Sequence, residues 1–168
     1  MTRTGRGRKA GAASKYRTMA LEEIKALPVA ELASKDALLF MWTTVPLLSG
    51  GLEVLPAWGF RYVSALVWRK TGRMGMGFWF RVDCELLLFG VRGTVKALRM
   101  QESNFFQCRG GRHSQKPDYY RQLVTRAAEK AFSAPRKLEL FARGTRDLFP
   151  SYGMEGSIEW PEARPNEE

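Results

Sequence analysis

The stretch ALLFMWTTVPLLSGGLEVLPAWGFRYVSALVWRK, residues 37–70, decides the fold. Its opening ALLFMWT is continuously apolar up to the threonine, the pattern of a strand covered on both faces, which favours a parallel sheet flanked by helices. VPLLSGGLEVLPAWGF then reads as a helix that turns Leu47, Leu48, Leu52, Leu55 and Trp58 toward the sheet and stops at Gly59. Pro56 would cost about 3 kcal/mol in a helix interior, so a kink or an early end is expected there. RYVSALVWRK, 61–70, returns to strand character, and strand, helix, strand begins an α/β architecture.

Downstream, the glycine-rich TGRMGMG is a loop, and FWFRV with CELLLFGVRG reads as one or two strands closed by Gly93. Residues 94–116 form a long, polar, basic connection holding one short strand at FFQC, and loops of that length in a compact domain are usually functional or mobile. A helix follows, with Tyr120, Leu123, Val124, Ala127, Ala128 and Ala131 on one stripe. Pro117 suits its first position and Asp118 the positive end of its dipole. RKLELFAR, 136–143, is another buried strand. Upstream, Thr18 could cap a short helix that Pro28 ends. The expected fold is a Rossmann-like, doubly wound, mostly parallel sheet with helices on both faces, its ligands outside the carboxyl ends of the strands. It occupies residues 18–156, between a basic flexible tail at 1–17 and an acidic, fraying tail at 157–168.

At 168 residues the chain fits one domain, long enough to bury roughly 70% of the surface its unfolded form exposes. The formal charge of +10 points to a polyanionic partner, with nucleic acid ahead of a membrane surface. Arg3, Arg6, Arg8, Lys9, Lys15 and Arg17 all precede the first acid, Glu22, so six of those ten charges sit in the tail and the body stands near +4. A merely solubilising tail is the plain alternative. Cys84 and Cys108 lack CxxC spacing, and His113 is the only histidine, so no metal set is expected and both cysteines read as reduced thiols. The longest apolar run, ALLFMW at 37–42, is far short of a membrane span, and no charged-then-apolar leader opens the chain. A cytoplasmic protein is expected.

Two constellations carry chemistry. In GRHSQKPD, Lys116 stands just before a helix whose free amides favour an anion, while Arg143 and Arg146 leave the end of the last buried strand in LFARGTR. If that strand and helix are neighbours, these groups converge on one anionic ligand; solvated side chains are the alternative. The loop TGRMGMGFWF has the order GxxGxG and enters a strand, so it is no dinucleotide fingerprint. Around it Arg69, Lys70, Arg73 and Arg81 alternate with Trp68, Phe78, Trp79 and Phe80. Cations for phosphates interleaved with aromatics for base stacking suit a protein that handles an exposed base, although aromatics flanking strands are often core.

The blocks YRTMALEEIKALPVAELASKDALLFMW, AWGFRYVSALVWRKTGR, GFWFRVDCELLLFGVRG, HSQKPDYYRQLV and RKLELFAR resemble, in order, the MT-A70 family of adenine N6 methyltransferases, and most closely its short phage and bacterial members. The resemblance spans residues 14 to about 155. It implies a Rossmann-like methyltransferase that binds S-adenosylmethionine and methylates adenine in nucleic acid, with DNA ahead of RNA. It assigns Lys116, Arg143 and Arg146, with Ser114 and Glu155, to the cofactor. Arg69, Lys70, Arg73, Trp79 and Arg81 would face the nucleic acid.

Methyl transfer to an exocyclic amine is an in-line displacement that needs the nitrogen lone pair aimed at the methyl group. The family orients it with an Asp-Pro-Pro-aromatic motif, and the chain contains none, so its catalytic residues are unassigned. PDYY at 117–120 is a reversed, one-proline sequence on a helix start. In relatives the motif ends a strand just ahead of the segment that resembles residues 5–19, so the resemblance implies an N-terminally shortened enzyme missing one buried strand. Val82 stands where relatives tend to carry a polar residue, and GMEG at 153–156 replaces a Gly-Asn-acid ending associated with ribose contacts. A catalytically inactive nucleic-acid-binding module, acting as a homodimer or partner subunit, is the rival reading.

Overall fold

The computed structural model describes residues 18–72, 75, 79–110, 115–142 and 151–153. Two short helices, α1 (Leu21–Lys25) and α2 (Val29–Leu32), lead into strand β1 (Ala37–Thr44). A 3-10 turn at Val45–Leu47 opens helix α3 (Leu48–Ala57), and strands β2 (Arg61–Thr71), β3 (Cys84–Arg92) and β4 (Phe105–Arg109) follow. Helix α4 (Asp118–Ala131) and strands β5 (Glu139–Ala142) and β6 (Ser151–Gly153) complete the order. Among the described residues no helix is long and apolar enough to cross a membrane.

The main sheet has the order β1-β3-β2-β4. β3 is antiparallel to both β1 and β2, while β4 is parallel to β2. Three strands therefore share one direction and β3, inserted between β1 and β2, runs against them. This corrects the expectation of a mostly parallel sheet: its ladders are mixed. The connection between β2 and β3 spans only residues 72–83, short for a crossover helix and without one among its described residues, so the next strand returns beside its predecessor in the opposite sense. A second correction concerns RKLELFAR. Its strand, β5, pairs in parallel with β6 in a separate two-stranded sheet rather than joining the main one.

Alternation along the strands sends side chains into two cores. On one face, Val54, Leu55 and Trp58 of α3 pack with Val29, Phe60 and Leu88, and Leu39, Met41 and Leu140 lie against them. On the other face, Tyr120 and Leu123 of α4 pack with Trp68 and Leu87, joined by Phe40, Trp42 and Phe106. Helices thus cover both faces, as expected. The stripe on α4 is as read, with Tyr120, Leu123 and Ala127 buried and Val124, Ala128 and Ala131 half-buried. Pro117 is its cap rather than its first residue.

On α3 the buried stripe differs in part from the expected one. Leu47 and Leu52 are 66% and 38% exposed, while Val54 is buried; Leu47 belongs to the 3-10 turn ahead of α3 rather than to the helix. α3 stops at the expected glycine rather than at Pro56, which lies inside its last turn: Trp58 is the C-cap and Gly59 follows with φ of +80°, a conformation that favours glycine, while the Gly59 and Phe60 N–H groups donate to the Pro56 and Leu55 carbonyls. Gly90 of β3 has a different role: a Cβ there would stand 2.9 Å from Leu55 Cδ2, so its absence lets α3 approach the sheet. Trp58 donates its indole N–H to the Ile24 carbonyl at 2.9 Å and ties α1 to α3. Ala20, not Thr18, caps α1, and its backbone N–H donates to the Glu23 carboxylate at 2.6 Å.

Candidate cofactor and nucleic-acid site

β1 and β2 deliver two tryptophans near the same end of the sheet, Trp42 and Trp68, and β3 between them places Glu85 opposite Thr44 on one side and Trp68 on the other. Lys70, two residues beyond Trp68 and so on the same face, forms an ion pair and hydrogen bond with Glu85 Oε1. Lys116, two residues ahead of α4, reaches the other oxygen, Oε2, at 2.7 Å. Each ammonium also lies over a ring: Lys70 5.1 Å from the Trp68 centroid, Lys116 5.3 Å from that of Trp42. Trp42 meets Tyr120 edge to face at 4.9 Å and Trp68 at 6.1 Å, so the bridge sits on an aromatic floor.

The electrostatics follow from this packing. The Glu85 side chain is only 13% exposed. Burial pushes its carboxyl up, but the hydrogen bonds and charges of Lys116 and Lys70 outweigh burial and hold it below the usual carboxylate range. Two cations share one carboxylate, which leaves the cluster a net charge of +1 and an affinity for anions. Beneath it, burial first, and then the neighbouring Tyr119 and Cys108, push the Tyr120 phenol well above its ordinary value. The Tyr120 hydroxyl and the Trp68 indole N–H are buried and find no hydrogen-bond acceptor among the described residues.

The structure sorts the residues singled out by sequence. Of the cofactor set, Lys116 is in the cluster; Ser114, Arg143, Arg146 and Glu155 lie outside the described residues. Of the nucleic-acid set, Lys70 belongs to the same bridge as Lys116, whereas Arg69 turns to the opposite face and pairs with Asp83 at 3.1 Å. Trp79 is 93% exposed with Phe80 beside it at 87%, and Arg81 is exposed; Arg73 and His113 lie outside the described residues. Cys84 and Cys108 are unbridged and half-buried. No sequence motif marks Glu85, Trp42 or Tyr120 as a site residue, and Tyr120 stands out only as part of the α4 stripe. Glu85 left a signal all the same: it is the lone carboxylate in the apolar run CELLLFG, and a buried carboxylate must find a cation.

The MT-A70 family model matches residues 4–155. Over 147 residues, 86% of this chain and 61% of the relative, the sequence is 32% identical to the type II methyltransferase M.MunI of a Mycoplasma species. It is 32% identical over 135 residues to an MT-A70-like N(6)-adenosine-methyltransferase of Arabidopsis thaliana, covering 76% of this chain and 19% of that protein. An MT-A70-like protein of Drosophila melanogaster is 30% identical over 136 residues, with 76% and 22% covered. The chain therefore spans about three fifths of the first relative's length and about a fifth of the others'. With the family's sequence carried across nearly all of its described elements, the chain belongs to the MT-A70 methyltransferase family.

Proposed function

We propose that this chain is the cofactor-binding part of an S-adenosylmethionine-dependent adenine N6 methyltransferase acting on nucleic acid, with DNA ahead of RNA because its sequence blocks resemble those of short phage and bacterial members. The observation that carries the reading is the meeting of Lys116 with Glu85, Lys70, Trp42 and Trp68 at one end of the sheet. These residues fit the cofactor. A site of net charge +1 with two orphaned donors beneath it, Trp68 N–H and Tyr120 O–H, suits a ligand that brings a carboxylate and uncharged acceptors. Lys116 would hold the anionic end, with Arg143, Arg146, Ser114 and Glu155 as its further contacts. The doubly wound methyltransferase topology belongs to the same proposal, supported by helices on both faces and three strands of common direction.

When bound, the cofactor supplies an electrophilic methyl group on a sulfonium. The residues of this chain bind and orient it; the Asp-Pro-Pro-aromatic motif that aims the adenine nitrogen is not among them. β1 pairs with β3 on one side and with no other described strand on the other. In this reading that edge accepts the strand carrying the motif, whether from a longer form of the chain or from a partner subunit. The test is calorimetry with S-adenosylhomocysteine. Binding in the micromolar range that Lys116→Ala weakens by at least about tenfold supports the site, since a charged hydrogen bond contributes about 1.5–3 kcal/mol. Binding indifferent to Lys116→Ala refutes it.

A second reading, a non-catalytic nucleic-acid-binding subunit, is favoured by the neighbouring exposed rings of Trp79 and Phe80 beside Arg81, which suit stacking on unpaired bases. Tight, salt-dependent DNA binding without cofactor binding would select it.

A further inference from the structure

We infer that Lys70 is a positioning residue for the cofactor site, acting through Glu85: it holds the Glu85 carboxylate so that Lys116 is free to exchange that carboxylate for an anionic ligand. The inference rests on the reading of Lys116 as the ligand's cation. The two Glu85 oxygens are divided, Oε1 to Lys70 and Oε2 to Lys116. Both lysine side chains are about one third exposed, at 33% and 32%, whereas Glu85 is at 13%. Lys116 can turn outward to an arriving anion, but a carboxylate this buried cannot follow it into water.

If Lys116 were the only partner of Glu85, its departure would strand a buried charge, and ligand binding would bear that desolvation cost. Lys70 removes the problem because it approaches the other oxygen and stays on its own strand, over Trp68. Two cations on one carboxylate also repel each other, which weakens the hold on Lys116. Lys70 is fixed by the β2 ladder between β3 and β4, while Lys116 lies in the segment leading into α4, so Lys116 is the member that can leave.

The logic predicts effects of opposite sign from two neighbours. Glu85→Gln removes the competitor for Lys116 and tightens S-adenosylhomocysteine binding, while Lys70→Met leaves Glu85 dependent on Lys116 and weakens it by about tenfold. Lys70→Arg, which keeps the cation, restores near wild-type affinity. In the double variant Lys70→Met with Glu85→Gln the loss disappears, because Lys70 has nothing left to hold. A loss that persists undiminished in the Glu85→Gln background would show Lys70 acting on the ligand directly and overturn the inference.

A second measurement needs no cofactor. Reductive methylation of the intact chain, followed by peptide mass spectrometry, reads the availability of the Lys116 amine. It should rise in Glu85→Gln and fall in Lys70→Met; an unchanged rate in both overturns the inference even if the cofactor binds. If wild-type protein fails to bind S-adenosylhomocysteine, the cofactor reading fails, and the labelling rates still decide whether Lys70 and Glu85 control Lys116.

Discussion

Replacing Gly90 by alanine should strain the sheet where α3 lies closest to it. The new Cβ would stand 2.9 Å from Leu55 Cδ2, 3.3 Å from the Arg61 carbonyl oxygen and 3.3 Å from Phe60 Cβ. Leu55 is fully buried and Phe60 nearly so, and the carbonyl is backbone, so none of the three can swing aside into solvent. A methyl forced into a closed core costs about 1–3 kcal/mol. At about 2–4 °C per kcal/mol for a chain of this size, the melting temperature should fall by about 2–12 °C. A cycle with Leu55→Val isolates the cause. Valine carries no Cδ atom, so alone it should cost about 1 kcal/mol as a lost methylene. With alanine at 90 the same change should cost nothing or stabilise, because it removes the clashing atom. Thermal melts of the four proteins give the coupling, and equal costs of Leu55→Val in both backgrounds would refute the close approach of α3.

Two further predictions concern the site. The Glu85 carboxyl is held below its ordinary value of 4.5, so the folded chain takes up that proton less readily than the unfolded one. The stabilisation is full above the unfolded value and is lost as pH falls through the lower native one, so the melting-temperature gap between wild type and Glu85→Gln should narrow below about pH 4.5; a gap constant down to pH 2 would contradict the bridge. Trp79→Ala and Phe80→Ala, at 93% and 87% exposed, should leave stability within about 0.5 kcal/mol of wild type. Each should weaken binding of single-stranded DNA, read by fluorescence anisotropy, by about 1–3 kcal/mol, and unaltered binding in both would remove them from the interface.

Much of the fold was legible because periodicity and length left few choices. ALLFMWT, RYVSALVWRK and the stripe from Tyr120 to Ala131 became β1, β2 and α4 almost as read. The direction of β3 was not legible, since CELLLFG reads the same either way and only the short, glycine-rich connection before it hints at a reversal. On α3, Leu47 was misplaced because it belongs to a 3-10 turn that a 3.6-residue period does not distinguish. At the site, Lys116 stood out by its place before a helix, but Lys70 and Arg69 looked alike in sequence. Strand alternation separates them, sending one to Glu85 and the other to Asp83 on the far face. The meeting of Trp42, Glu85 and Lys116 joins residues from three distant segments and could not be read from any one of them.

Among the described residues, β3 is the strand that places fully buried side chains in both cores, Leu87 against α4 and Leu88 against α3. A volume change at either position is felt by one helical layer and passed through the backbone to the other, half a pleat away. Drift along residues 85–91 therefore cannot be absorbed one side at a time. Leu87, Leu88 and Gly90 answer to packing on opposite sides of the sheet, and Glu85, on the same strand, answers to the lysines. Across diverging copies of this chain, this segment should be the slowest to accept substitutions singly and the one where accepted changes arrive in compensating pairs.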